Sequence, residues 1–283
     1  MQPKILVATW VHNGEKTLKR AIESVLAQNY SNFIYYIVDN VSTDGTAGIA
    51  QDYAVRDTRV RYLQRPENSY DLNLFTWVFD AVADDYDYFV NLDADDEYTP
   101  AFLQRMLHFM LANDLDVGSC GSVFICAETG QCCGRRTLAQ NLLLTQPDCF
   151  ANIGYYLAYI RTIWGKMYKK PLINKTNTDM LKAHPHADMA YGSDALFNFL
   201  LLQGVSRFGV LAETLHRYYQ DAASMTGQLT PKRLEADLVI NHALRGFLAA
   251  KCGGISRDHE RFLMADYAGA IRSTLALIER KLR

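Results

Sequence analysis

Hydrophobic and polar positions along the first 125 residues switch repeatedly between two periods. Ile5 to Ala8 is a short apolar run that reads as a buried strand, and Leu18, Ile22, Val25 and Leu26 then recur at helical spacing. Phe33 to Val38 predicts a second strand ending on Asp39, after which Ser42-Thr43-Asp44-Gly45 supplies turn and N-cap chemistry for a helix through Ile49 and Tyr53. Val60 to Leu63 predicts a third strand. Leu72, Phe75, Val78, Phe79 and Val82 predict a helix, and Tyr88 to Leu92 a fourth strand. Thr99-Pro100 makes an N-cap and N1 pair for a helix that turns Leu103, Leu107 and Met110 inward. Strands alternating with helices in this way imply an α/β domain built on one mainly parallel sheet covered on both faces.

The pattern is less regular afterwards. Arg135 to Asn141 and Thr176 to Met189 read as polar loops, the second long enough to act as a lid and carrying His184, His186 and Asp188. Two histidines two apart are a surface loop before they are a metal site. Gly192-Ser193-Asp194 opens an apolar helix, Ala195 to Leu202, with Ser193 or Asp194 as its cap, and Val205 to Val210 predicts a further strand. From Pro231 the chain reads as helical, with Leu234, Leu238, Leu244, Phe247 and Leu248 and then Leu275, Ile278 and Leu282 as apolar stripes.

Chemistry enters where strands end. In open parallel sheets ligands bind outside the carboxyl ends of the strands, and Thr9, Asp39, Asp93 and Asp95 are expected at three of those ends. Asp93, Asp95, Asp96 and Glu97 place four carboxylates within five residues. Carboxylates about 4 Å apart repel by about 4 kcal/mol at an effective dielectric near 20. A hard dication with oxygen ligands is the natural neutraliser, against the plainer reading of a solvated acidic turn. No GxGxxG follows the first strand and no GxxxxGK[ST] occurs, so neither the dinucleotide fingerprint nor the P-loop is present.

Composition narrows the classes. A formal net charge of −2 over 283 residues argues against general nucleic-acid binding. The charge is uneven: residues 228–283 hold ten Lys and Arg against six Asp and Glu, so weak peripheral contact with a membrane surface is one expectation for this segment. The chain opens Met1-Gln2-Pro3-Lys4 without a signal-peptide pattern, and no apolar run approaches the roughly 20 residues of a spanning helix. The expected location is cytoplasmic, with any membrane contact peripheral to the inner face. Six cysteines with no CxxC pair are expected to be free thiols.

Five segments in order resemble one family. Ile5 to Trp10 through Asn13-Gly14-Glu15-Lys16-Thr17-Leu18, with Ser24 to Tyr30, is similar to the opening strand and first helix of the family 2 glycosyltransferases of GT-A fold. Ile37-Val38-Asp39-Asn40-Val41-Ser42-Thr43-Asp44-Gly45-Thr46 resembles their signature turn, and Asn91-Leu92-Asp93-Ala94-Asp95-Asp96 their metal motif. Trp164-Gly165-Lys166-Met167-Tyr168 and Gly192 to Asn198 resemble the acceptor-side segments. The resemblance covers residues 4 to about 226. It implies a GT-A catalytic domain over 1–227, split into a nucleotide-sugar half (1–125) and an acceptor half (126–227), with a C-terminal helical extension over 228–283.

The resemblance further implies inverting transfer of a sugar from a nucleoside-diphosphate donor, a UDP-sugar foremost, to a hydroxyl of a glycan or lipid-linked oligosaccharide. Thr9, Trp10, Asn13, Asp39 and Asn73 would surround the nucleoside, and Asp93 and Ala94 would face the ribose or a metal-bound water. Asp95 with Asp93 would ligate Mn²⁺ or Mg²⁺, and Asp194 would be the general base, ionised at its helix N-terminus. Three positions depart from the family pattern: Asp221 stands in place of a His, Ser193 in place of a Glu before the base, and Leu72 in place of an Arg before Asn73. Either Asp221 or His216 is then the candidate third ligand. A homodimer through the tail stripes is a further expectation.

Other classes fit less well. A haloacid-dehalogenase phosphatase carries its acidic motif on the first strand, and a calcium loop needs Gly where Tyr98 stands. A non-catalytic sugar-nucleotide binder is the remaining alternative.

Overall fold

The computed structural model describes residues 2–69, 71–82, 85–145, 153–221 and 232–282. Its first strand, β1 (Ile5–Val11), pairs in parallel with β2 (Phe33–Asp39) and with β4 (Tyr88–Asn91), and β2 pairs in parallel with β3 (Val60–Gln64). Successive residues of β1 point to opposite faces, so Ile5 and Val7 enter one core and Leu6 and Ala8 the other. Burial on both faces explains why these strands read as continuous apolar runs.

One core lies under α1 (Leu18–Leu26), α2 (Thr46–Arg56) and α4 (Phe102–Ala112), where Ile22, Val25, Ala50, Met106 and Met110 meet the sheet. The other lies under α3 (Leu72–Ala81), α5 (Leu157–Arg161), α6 (Lys175–Lys182) and α7 (Ser193–Leu201). There Phe75, Phe89, Tyr168 and Phe197 form an aromatic cluster with centroid separations between 5.1 and 6.2 Å. α8 (Arg233–Cys252) packs on α7, and α9 (Arg257–Leu282) packs on α8.

Beyond β4 the sheet becomes mixed. β9 (Lys166–Lys169) is antiparallel to both β4 and β6 (Val117–Cys126), and β6 runs parallel to β10 (Phe208–Gln220). The order is β3-β2-β1-β4-β9-β6-β10-β5, where β5 is Glu97–Tyr98; β7 (Cys132–Arg136) joins β6 and β8 (Leu142–Leu144) joins β10. This is the single mixed, mainly parallel sheet covered by helices that the sequence implied.

Several expectations are corrected. β1 runs three residues past Ala8 because Thr9, Trp10 and Val11 keep pairing with Ile37, Val38 and Asp39. α4 starts at Phe102 rather than at Pro100, after a turn in which the Phe102 N–H donates to the Thr99 carbonyl at 3.0 Å. Residues 135 and 136 belong to β7, and the first half of the expected lid is in α6, whose N-cap Asn174 accepts the Asn177 N–H at 2.9 Å. The next strand begins at Phe208, not Val205, and is far longer than expected. On α8 the buried face is Ala236, Val239, Ile240, Leu244, Phe247 and Leu248, while Leu234 and Leu238 face outward, as does Leu275 on α9. The five described cysteines are free thiols, and Cys149 and the expected helix start at Pro231 lie outside the described residues. Among the described residues no helix is long and apolar enough to cross a membrane.

Candidate functional site

The signature turn after β2 is held by its own acids. Asp39 is fully buried; one oxygen accepts the Ser42 N–H at 2.8 Å and the other the Tyr62 hydroxyl at 2.9 Å. Asp44 accepts the Thr46 N–H at 3.0 Å, which anchors the start of α2. Asn13 stitches this turn to the end of β1: its backbone N–H donates to Ser42 Oγ at 2.9 Å, and its Oδ1 accepts the Thr43 N–H at 2.8 Å. The turn is strained, because Val41, a β-branched residue, sits at φ +62°. The left-handed region costs such a residue about 1–2 kcal/mol, and glycine gives back about 0.5–1 kcal/mol in chain entropy. Val41→Gly is therefore expected to stabilise the fold by about 0.5–1 kcal/mol. A thermal melt checks this, and an unchanged or lower Tm would show that the Val41 side chain packs for more than its backbone costs.

The edge beside this turn differs from the expected nucleoside set. Thr9 is fully buried inside the sheet with its hydroxyl bonded by Tyr35, and Trp10 packs edge-on against Phe75 at 5.0 Å. Both lie within β1 rather than at its open end. Asn73 stays at the start of α3, its backbone N–H and side-chain amide both bonded to the Asp71 cap at 2.9 and 3.3 Å. The groups at the edge are His12, Asn13, Asn40, Arg65 and Asn68. His12 Nδ1 lies 2.9 Å from the Asn40 carbonyl and 3.2 Å from the Asn68 amide. Arg65, buried, donates to Asn40 Oδ1 at 2.9 Å and Ser69 Oγ at 2.8 Å. Sequence reading missed Arg65. Its only signal was a charged residue just past a strand end.

The acidic turn after β4 divides in two. Asp96 and Glu97 turn toward β10: Asp96 Oδ1 accepts the Tyr219 N–H at 2.9 Å, and Glu97 accepts the Tyr219 hydroxyl. Asp96 Oδ2 lies 3.0 Å from His216 Nε2, both side chains being fully buried. Burial, helped by the Arg136 charge, pushes His216 down to about 3, while burial and Asp95 push Asp96 well up. Burial thus disfavours the charged form of both partners. His216 also contacts Ser122 Oγ at 3.2 Å and stacks on Trp164 at 4.7 Å, so it is a core residue and not a ligand at the turn.

Asp93 and Asp95 remain on the open side. Asp93 Oδ1 accepts the Asn91 amide at 2.9 Å. Burial pushes Asp93 well above the carboxylate range, and the charges of Asp96, Asp194 and Asp95 push in the same direction. Burial also raises Asp95, against its own backbone N–H, Arg20 and His216, and Asp221 at the end of β10 raises it further. Asp194 reaches the cluster from the first turn of α7, behind Gly192 at φ +79°. A Cβ at Gly192 would come within 2.2 Å of Ile240 Cδ1, so the turn that aims the acid needs glycine on both counts. Burial carries Asp194 up to about 6, against the Ile163 N–H and the Lys166 charge. The helix N-terminus expected to keep it fully ionised is outweighed by desolvation.

Asp93 thus lies in electrostatic range of Asp95 and Asp194, and Asp95 in range of Asp221. Like charges collected and desolvated in this way are what a dication relieves. Among the described residues, no three His, Cys, Asp or Glu side chains converge on a point as a complete cage. His184 and His186 have ring centroids 5.9 Å apart, with the His186 N–H donating to His184 Nδ1.

The family model for "Glycosyl transferase family 2" matches residues 6–175, from β1 through the start of α6. The chain belongs to glycosyltransferase family 2. Among curated relatives of this family 2 chain, the uncharacterized glycosyltransferase EpsJ of Bacillus subtilis is 26% identical over 233 residues, covering 80% of the chain and 64% of EpsJ. The uncharacterized glycosyltransferase YibD of Escherichia coli is 25% identical over 226 residues, covering 79% and 63%. The chain thus matches under two thirds of the length of either. Among solved structures, S. aureus TarS 1–349 superposes with a TM-score of 0.66 at 16% identity, over 88% of this chain and 70% of that one. The mannosyltransferase PcManGT of Pyrobaculum calidifontis, solved with GDP-Man and Mn²⁺, gives 0.58 at 13% identity over 98% and 76%. Both likenesses bear on the fold, which is of the GT-A type.

Proposed function

We propose that this chain transfers a sugar, with inversion, from a nucleoside-diphosphate donor to an acceptor hydroxyl of a glycan or lipid-linked oligosaccharide, with a UDP-sugar as the first candidate donor. The observation that carries this reading is the meeting of Asp194, from α7, with Asp93 at the end of β4, which places a partly protonatable acid next to a carboxylate turn that calls for a cation. TarS has been solved with UDP and with UDP-GlcNAc, which supports trying uridine donors first.

The residues act as follows. Asp194 accepts the proton of the acceptor hydroxyl; that oxygen bonds to the anomeric carbon as the bond from that carbon to the diphosphate oxygen breaks on the opposite face. Asp95 and Asp93 would hold Mn²⁺ or Mg²⁺, with Asp221 next to them. When bound, the cation supplies positive charge where the departing diphosphate gains negative charge. His12, Asn13 and Asn68 line the nucleoside edge, behind which Asp39 and Arg65 fix the turn. Residues 1–125 would serve the donor, 126–227 the acceptor, and 228–283 would form a helical extension.

A panel of sugar nucleotides with and without Mn²⁺ tests this by thermal shift and by release of free nucleoside diphosphate. A uridine donor is expected to raise Tm more with Mn²⁺ than in excess chelator, with about 2.7 kcal/mol of stabilisation at a hundred times Kd. Equal stabilisation in excess chelator, or none by any nucleotide, would overturn the reading.

A further inference from the structure

The acidic turn is gripped from behind by a residue that the reaction scheme does not use. Arg20 lies in the first turn of α1, where its neighbours Leu18, Ala21 and Ile22 face the core. Its guanidinium crosses to a part of the chain 75 residues away and donates from Nη2 to the backbone carbonyl of Asp95. Its other side lies on the ring of Tyr219, 3.6 Å from the centroid. Tyr219 is itself tied to the turn, its backbone N–H to Asp96 and its hydroxyl to Glu97.

Two details separate this contact from ordinary surface pairing. An arginine beside an aspartate normally takes the carboxylate with a bidentate fork. Here it takes the carbonyl, and among the described residues no cation forms an ion pair with the carboxylate of Asp93 or Asp95. The oxygens a metal needs are left to it. Arg20 Nε, moreover, is buried without a partner. An orphaned N–H is costly, so a geometry that keeps it is held by the other contacts of the same side chain.

We propose that Arg20 is a positioning residue for the cation: it clamps the Asp95 backbone against Tyr219, fixing the turn in the shape that presents its carboxylates and locking it to the strand end that carries Asp221. This rests on the metal-assisted reading above. Removing the clamp should loosen the grip on the cation while leaving the nucleoside edge, formed by other elements, intact.

The test is a calorimetric titration of MnCl2 into protein saturated with UDP, paired with UDP binding in excess chelator, for wild type, Arg20→Met, Arg20→Lys and Tyr219→Leu. Arg20→Met should weaken Mn²⁺ binding by about tenfold or more, the scale on which groups behind the ligands tune metal sites, with chelator-independent UDP binding unchanged. Arg20→Lys, able to donate to the same carbonyl, should recover most of the loss. Tyr219→Leu should weaken Mn²⁺ in the same direction, which keeps the test open should Arg20→Met fold poorly. Wild-type Mn²⁺ affinity in Arg20→Met, or parallel loss of metal-free UDP binding and of Tm, would overturn the role of Arg20 alone. Absence of any metal-linked UDP binding in the wild type would overturn the site reading and this role with it.

Discussion

Asp194→Asn is expected to lower turnover by about a thousandfold, within the range that general bases contribute, while donor binding stays at the wild-type level. Asn keeps the shape and the place at the start of α7 but cannot take a proton. The pH profile offers a second reading of the same group. Because Asp194 is carried up to about 6 by burial, kcat/KM of the wild type should be flat above about pH 7 and fall tenfold per unit once pH drops below about 6. The sign for stability is opposite. An acid whose folded value exceeds its unfolded value of 3.8 binds its proton more tightly in the folded state. Its favourable contribution is complete below the unfolded value and is lost as pH rises through about 6. Asp194→Asn should thus match or exceed the wild-type Tm at pH 7.5. A variant that transfers sugar at the wild-type rate would remove Asp194 from the chemistry.

Asp95→Ala is expected to have the second largest effect, a loss of about a hundredfold or more in turnover, comparable to deleting one preorganised stabiliser of developing charge. Nucleotide-induced stabilisation should become the same with Mn²⁺ and with chelator. Asp96→Asn provides the contrast: Asp96 faces Tyr219 and His216 rather than the open side, so its replacement should leave the metal dependence in place. If Asp96→Asn abolished metal dependence and Asp95→Ala did not, the division of the turn would be wrong.

How far the sequence carried these conclusions depends on what each residue is read against. β1, β2 and β4 were legible because strands buried on both faces are apolar without interruption, and Asp39, Asp93 and Asp95 were legible because polar residues then mark where they stop. β6 was not, because Gly118 and Gly121 make way for Met110 Sδ and the Arg136 carbonyl, and small residues carry no period. The tail stripe was misread because the α8–α9 interface is partly polar: Arg233 Nε donates to Thr274 Oγ1 at 3.1 Å, and the Asn241 amide donates to the Leu263 carbonyl at 2.9 Å. Hydrophobicity alone added the exposed Leu234 and Leu238 to a stripe whose Leu244, Phe247 and Leu248 are buried as expected. Thr9 and Trp10 were misplaced because pairing with β2, not composition, decides where β1 ends. Arg20 had no local signal and Arg65 only its place just past a strand end, since their partners arrive only with the fold.

β5 is two residues long, yet it follows the acidic turn directly and its ladder runs along β10, Tyr98 against His216 and Glu97 against Arg217. The carboxylates therefore ride on the same rail as Asp221. A natural variant that spread this rail to admit a bulkier acceptor would drag the cation's seat along with it. Acceptor range and metal preference should then change in step across relatives, whereas the choice of nucleotide, which the proposed reading assigns to His12, Asn13 and Asn68 past the ends of β1 and β3, should be inherited separately.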